Sequence, residues 1–268
     1  NVSSKKYPIV DGSRWEPRLR FGASRNISPA SLVVSVRSAF SPTHRLPATM
    51  GGHTISTAIS DLELVLEAAN HVIAGGNIAF SKFQSDSIVK AFENSWAQAT
   101  NSALVITAGT GMGKTLGFII PVITDALISN RANGRQCSQL LMYPRNDLAK
   151  DQFEQMTKIV SRLNHNLITS GNQDRCLGTA LDADSRITNH QLNYPNSGGV
   201  AVPWGAGTGN VYAAACNTYA GNNPASIIAC SIESFRRRLR IPDVCASLKQ
   251  GLRRIVLDEV HLSSGIQG

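Results

Sequence analysis

The string AGTGMGKT, Ala108 to Thr115, constrains this chain more than any other stretch. It follows an unbroken apolar run, ALVIT at 103–107, and opens a segment with helical apolar spacing from Lys114 to about Ser129. A glycine-rich turn between strand and helix that closes in Lys-Thr has the residue types of a phosphate cradle. Gly109, Gly111 and Gly113 let the backbone curl. Successive N–H groups from Gly109 through Thr110, Gly111, Met112 and Gly113 then face phosphate oxygens, with the positive end of the helix dipole behind them. Lys114 can reach the outer phosphates of a nucleotide, and the Thr115 hydroxyl can ligate Mg2+.

Three more runs are continuous rather than alternating: QLLMY (139–143), SIIAC (226–230) and RIVLD (254–258). Such runs suit strands buried on both faces of a sheet. Helical patterns lie between them, including Asn146 to about Leu163 with Leu148, Phe153, Met156, Val160 and Leu163 on one side. Strands alternating with helices predict an α/β fold, a parallel sheet flanked by helices. Upstream, Ser60 and Glu63 form a capping box that predicts a helix to Ile73, and a second helix is expected from Ser85 to about Gln98.

Two regions break this rhythm. Residues 1–58 read as an irregular basic arm or a fragment of a preceding domain, with residues 59–268 as the main lobe. The first fifty residues hold eight Lys and Arg against two acids, which suits either a solvated arm or a nucleic-acid contact. From Ile187 to Ile232 there is no Asp, Glu, Lys or Arg, and the stretch is expected to be a flexible insertion. Its GAGTGN at 205–210 imitates a phosphate loop without the closing Lys-Thr.

Composition narrows the setting. The net charge is +8, which suits a polyanionic partner. No apolar run approaches the ~20 residues of a membrane span, and the N-terminus carries no apolar signal core, so a cytoplasmic protein without membrane contact is expected. The five cysteines lack CxxC spacing and are expected to be reduced thiols rather than a metal cluster. Both ends look like cuts within a longer protein.

A nucleotide hydrolase needs a carboxylate at a strand end to hold the Mg2+ water shell and another to orient the attacking water. RIVLDEVH (254–261) offers both, as Asp258 and Glu259.

At these residues the sequence resembles superfamily 2 helicases and translocases. Their phosphate loop commonly reads AxTGxGKT, and GKTLGFIIP (113–121) is similar to the GKT-x-x-F-x-x-P of DEAD-type helicases. DEVH matches the DExH box. The resemblance implies ATP and Mg2+ as cofactors and a RecA-like lobe in which Asp258 holds Mg2+ through water. It also makes Glu259 the catalytic base, and His261 the coupling between ATP and nucleic acid. YPRNDLAKDQ (143–152) is similar to motif Ia, placing Pro144, Arg145 and Asn146 at the nucleic acid, a strand-end helix start where backbone N–H groups can hold a phosphate. SIESFRRRL (231–239) is similar to motif Ib, with Ser231, Glu233, Arg236 and Arg237 as contacts; a solvated helical face is the other reading. Phe83-Gln84 resembles the adenine-reading Q motif, although Gln84 can equally be a helix-start glutamine.

The wording is nearest to large bacterial Lhr-like helicases and anti-phage helicases of the DISARM type. It implies a nucleic-acid partner, with DNA expected and RNA left open, and, for activity, a C-terminal second RecA-like lobe in the same polypeptide or as a partner. A protein partner subunit is left open as well. The alternatives are an ATP-switched DNA clamp without unwinding, and another phosphate-loop NTPase such as a small-molecule kinase.

Overall fold

A computed structural model of the chain describes residues 9–10, 25–73, 76–96, 103–106, 113–183, 186–190, 211–222 and 224–258. These fall into two compact units, divided between Thr124 and Asp125.

The first unit is mainly helical. Helix α1 (Pro29–Ala39) starts where Ser28 accepts a hydrogen bond from the Ser31 N–H, and Pro29 pre-sets the first turn. Its Leu32, Val33 and Val36 are buried. Helix α2 (Ile55–Ile73) buries Ile59, Leu62, Val65, Leu66 and Ala69, one apolar stripe, and packs on α1. Helix α3 (Lys82–Trp96) packs on α1 as well, and its Phe92 and Trp96 rings lie 4.3 Å apart. Two small ribbons complete the unit. Strand β2 (Arg25–Ile27) pairs antiparallel with β3 (Phe80–Ser81), and β1 (Ile9–Val10) pairs parallel with β4 (Val105–Ile106).

Two expectations are corrected here. Residues 25–58 are not an irregular arm, because α1, Leu46, Met50 and Ile55 all contribute to the buried core. Helix α2 begins at Ile55 rather than Ser60. The Ser60 hydroxyl instead donates to the Ser56 carbonyl one turn earlier, so it serves inside the helix rather than capping it.

Helix α4 (Lys114–Asn133) runs through Pro121 without a break in assignment. Gly117 is required by a close approach: a Cβ there would sit 3.2 Å from Cβ of Ser87 on α3.

The second unit is a RecA-like α/β layer fold. Its sheet has the order β7–β6–β8–β5–β9, formed by β5 (Gln139–Tyr143), β6 (Thr179–Ala183), β7 (Arg186–His190), β8 (Ile227–Ser231) and β9 (Arg254–Leu257). Strands β6, β8, β5 and β9 are parallel, and β7 runs antiparallel at one edge. Helix α5 (Asn146–Thr169) packs against β5, β6 and β8 through a stripe that includes Phe153, Met156, Val160 and Leu163. Helices α6 (Val211–Ala220) and α8 (Pro242–Gly251) pack on each other, and Ala215, Tyr219, Val244 and Leu248 share a cluster with Leu140, Met142, Ile228 and Cys230. A short helix, α7 (Ile232–Arg238), follows β8 directly.

Within the expected insertion at 187–232, the described residues 187–190, 211–222 and 224–232 are structural. Strand β8 is the middle strand of the sheet, and α6 buries Ala215 and Tyr219. Residues buried on several sides have no use for charges, so in β8 and at Ala215 and Tyr219 of α6 their absence goes with the core. Residues 191–210, with GAGTGN, lie outside the described residues. No helix among the described residues is long and apolar enough to cross a membrane.

Candidate nucleotide site and basic strand edge

The exit of the phosphate-loop string is held by α3. Gly113 has φ 75°, the left-handed region that residues with a Cβ avoid. Its carbonyl accepts a hydrogen bond from Nε2 of Gln84 at 2.9 Å. Gln84 is itself fully buried and takes part in a reciprocal cap: its Oε1 accepts from the Ser81 N–H at 2.9 Å, and its own N–H donates to Ser81 Oγ at 3.2 Å. This S-x-x-Q capping box fixes the start of α3 and ties it to the last glycine of the loop. Gln84 is thus a helix-start glutamine, and its carboxamide retains one N–H and one lone pair beyond these bonds. Lys114 and Thr115 form the half-buried first turn of α4. Gly109, Thr110, Gly111 and Met112 lie outside the described residues, as do Glu259 and His261.

In the second unit three strand ends meet in register. Tyr143 of β5 is opposite Ser231 of β8, and Met142 is opposite Leu257 of β9. The Asp258 N–H donates to the Met142 carbonyl at 3.0 Å, which continues the ladder one step and places half-buried Asp258 beside Tyr143. Tyr143 is 1% exposed and its hydroxyl has no hydrogen-bond partner. Burial, then the charge of Asp258, push its phenol above the ordinary tyrosine range. Strand β9 is also anchored from its other end, where the Arg254 guanidinium pairs with nearly buried Asp125.

Two helices leave the same edge. Arg145 caps α5 in extended backbone, is exposed, and pairs with Asp147 at 3.2 Å; Pro144 and Asn146 beside it are half-buried. Ser231 caps α7, its Oγ accepting from the Ser234 N–H at 3.2 Å. Glu233 and Arg237 pair across one turn of α7, and Arg236 and Arg240 are exposed beside them.

Arg238, in the same arginine run, differs from these exposed neighbours. It turns inward, and its Nε and Nη2 donate to the two oxygens of Asp182 at 2.8 and 2.9 Å. The Tyr219 hydroxyl donates to the same carboxylate at 3.0 Å. The hydrogen bond to Asp182 holds the guanidinium above its usual pKa, against the opposing effect of burial. Burial, with neighbouring Cys230 and Asp182, raises the Tyr219 phenol well above its usual range. Neither Asp182 nor Tyr219 carries a sequence pattern. The one available signal was a lone Asp inside the otherwise mostly apolar TALDA run.

Comparison with known proteins adds a similarity over part of the chain. Residues 82–191 match the DEAD/DEAH box helicase family, a segment that starts at α3 and includes Gln84, the phosphate loop and the β5–α5 edge. The ATP-dependent RNA helicase CHR1 of Candida albicans is 30% identical over an alignment of 97 residues, covering 30% of this chain and 17% of the relative. The ATP-dependent RNA helicase ROK1 of Eremothecium gossypii is 36% identical over 63 residues, covering 24% of this chain and 11% of the relative. The chain thus spans less than a fifth of the curated relatives it matches. No solved structure matches it significantly.

Proposed function

We propose that this chain is the ATP-binding lobe of an ATP-dependent nucleic-acid helicase or translocase. The observation that carries the reading is the Gln84–Gly113 hydrogen bond, which locks a glutamine-capped helix onto the phosphate loop within the helicase-like segment. A small-molecule kinase has no need of that tie. In this reading the amides of residues 109–113, Lys114 and Thr115 hold the phosphates. Asp258 orders the water around Mg2+, and Glu259 takes the proton of the attacking water. Bound Mg2+ neutralises charge on the outer phosphates. Gln84, buried at the start of α3, serves by holding the Gly113 carbonyl, and His261 couples the two functions.

The exposed cations at Arg145, Arg236 and Arg237, with the helix starts at Asn146 and Ser231 and the carboxylate of Glu233, form the nucleic-acid face. The family wording of the β5 edge favours DNA and a role in antiviral defence, whereas the matched relatives carry the names of RNA helicases. Hydrolysis requires a second RecA-like lobe that supplies an arginine, worth ~10³–10⁵ in rate. The test is binding of a fluorescent ATP analogue. The parent binds it with Mg2+ and Lys114→Ala does not; equal binding by both overturns the phosphate-loop assignment. Competition between single-stranded DNA and RNA of one sequence, at two salt concentrations, then decides the polymer.

A further inference from the structure

Tyr143 has no place in the reading above, yet it stands at the strand edge on which that reading depends. It ends the fully buried strand β5, it is 1% exposed, and its hydroxyl lacks a hydrogen-bond partner. Buried hydroxyls are nearly always satisfied, and a phenylalanine would fill the same volume without the desolvation penalty. The hydroxyl therefore calls for an acceptor that its surroundings supply in some other state of the protein.

The neighbours narrow that acceptor. In a parallel ladder, paired residues point to the same face, and successive residues alternate. Met142 and Cys230 belong to the apolar cluster on one face, so Tyr143 and Ser231 belong to the other. The Ser231 hydroxyl is already engaged with the N–H and hydroxyl of Ser234, capping α7. On the β9 side the step after Met142↔Leu257 sets Asp258 beside Tyr143, on that same face. After burial, the charge of Asp258 adds to what holds the phenol above its ordinary range.

We propose that Tyr143 is a positioning residue for Asp258: its buried hydroxyl donates to the Asp258 carboxylate and orients it toward a hydrated divalent cation. The proposal rests on the reading of Asp258 as the carboxylate that serves Mg2+-nucleotide. It assigns the β5 end two tasks, since Pro144 and Arg145, the next residues, begin the nucleic-acid face.

The experiment measures the affinity of a fluorescent ADP, in Mg2+ and in EDTA, for the parent chain, Tyr143→Phe, Asp258→Ala and the double variant. A hydrogen bond to an ionised group is worth roughly tenfold or more in a binding constant. Tyr143→Phe is expected to cut the Mg2+ advantage by about tenfold, with EDTA affinity and the cooperative melt as in the parent. Asp258→Ala abolishes the advantage, and adding Tyr143→Phe to it costs nothing further. An undiminished Mg2+ advantage in Tyr143→Phe, or equal losses in Mg2+ and EDTA, overturns the role. A parent chain that shows no Mg2+ advantage overturns the nucleotide reading itself, and this role with it.

Discussion

The two units each bury a polar constellation, and the two are built on different terms. In the first, Gln84 is neutral and bonds to backbone groups, the Ser81 N–H and the Gly113 carbonyl. In the second, Asp182 and Arg238 are charged, and each is satisfied by side chains from distant elements, with Tyr219 completing the carboxylate. A neutral amide that loses its place strands two hydrogen-bonding groups. An ion pair that loses one member strands a charge in the interior. The second arrangement is therefore the more vulnerable to loss of one member.

Asp182→Ala should accordingly have the largest effect, a loss of about 3–5 kcal/mol in urea unfolding, because Arg238 stays buried without a counter-charge. A loss below that of the Gln84 variant would reverse the comparison. Gln84→Ala should cost about 1–3 kcal/mol, since two backbone groups lose their partner, and it should also weaken ATP-analogue binding. Stability loss with unchanged binding would separate the cap from the phosphate loop. Tyr219→Phe should cost about 1 kcal/mol, as Asp182 keeps both bonds from Arg238. A cost matching Asp182→Ala would show that the tyrosine, not the arginine, holds the carboxylate. Glu233→Ala should change stability by less than about 0.5 kcal/mol, because its pairing with Arg237 is exposed. By removing a negative charge beside Arg236 and Arg237 it should raise nucleic-acid affinity at low salt, and weaker binding would show that the carboxylate itself makes a contact.

Much of the fold was legible because parallel strands announce themselves. QLLMY, SIIAC and RIVL are unbroken apolar runs, and they became β5, β8 and β9. The amphipathic stripe of α5 was equally plain. The run at 103–107 reads as a strand of the same sheet, but Val105–Ile106 pair with Ile9–Val10 instead. The hairpin β6–β7 was invisible, since TALDA and RITNH mix polar with apolar residues and Asp182 is tolerated only because Arg238 arrives from 56 positions later. Helix α6 (VYAAACNTYA) is not legible as a helix, because its apolar residues lie on all sides and draw no stripe. At the candidate site, Lys114, Thr115 and Asp258 were named from local strings. Tyr143 could not be, because its significance lies in its register beside Asp258 across two strands far apart in the chain.

The strand order has a consequence for how the protein is made. Strand β5 is flanked in the finished sheet by β8 and β9, and both follow it at a long distance in sequence. As the chain leaves the ribosome, QLLMY emerges with neither neighbour yet synthesised. Non-local parallel pairing forms slowly, and an unpaired apolar strand is open to capture by other chains meanwhile. Helix α5, which follows at once and packs on β5, gives that strand its earliest available cover. Variants that thin the apolar stripe of α5 should therefore lower soluble yield during synthesis more than they lower the stability of the protein once folded.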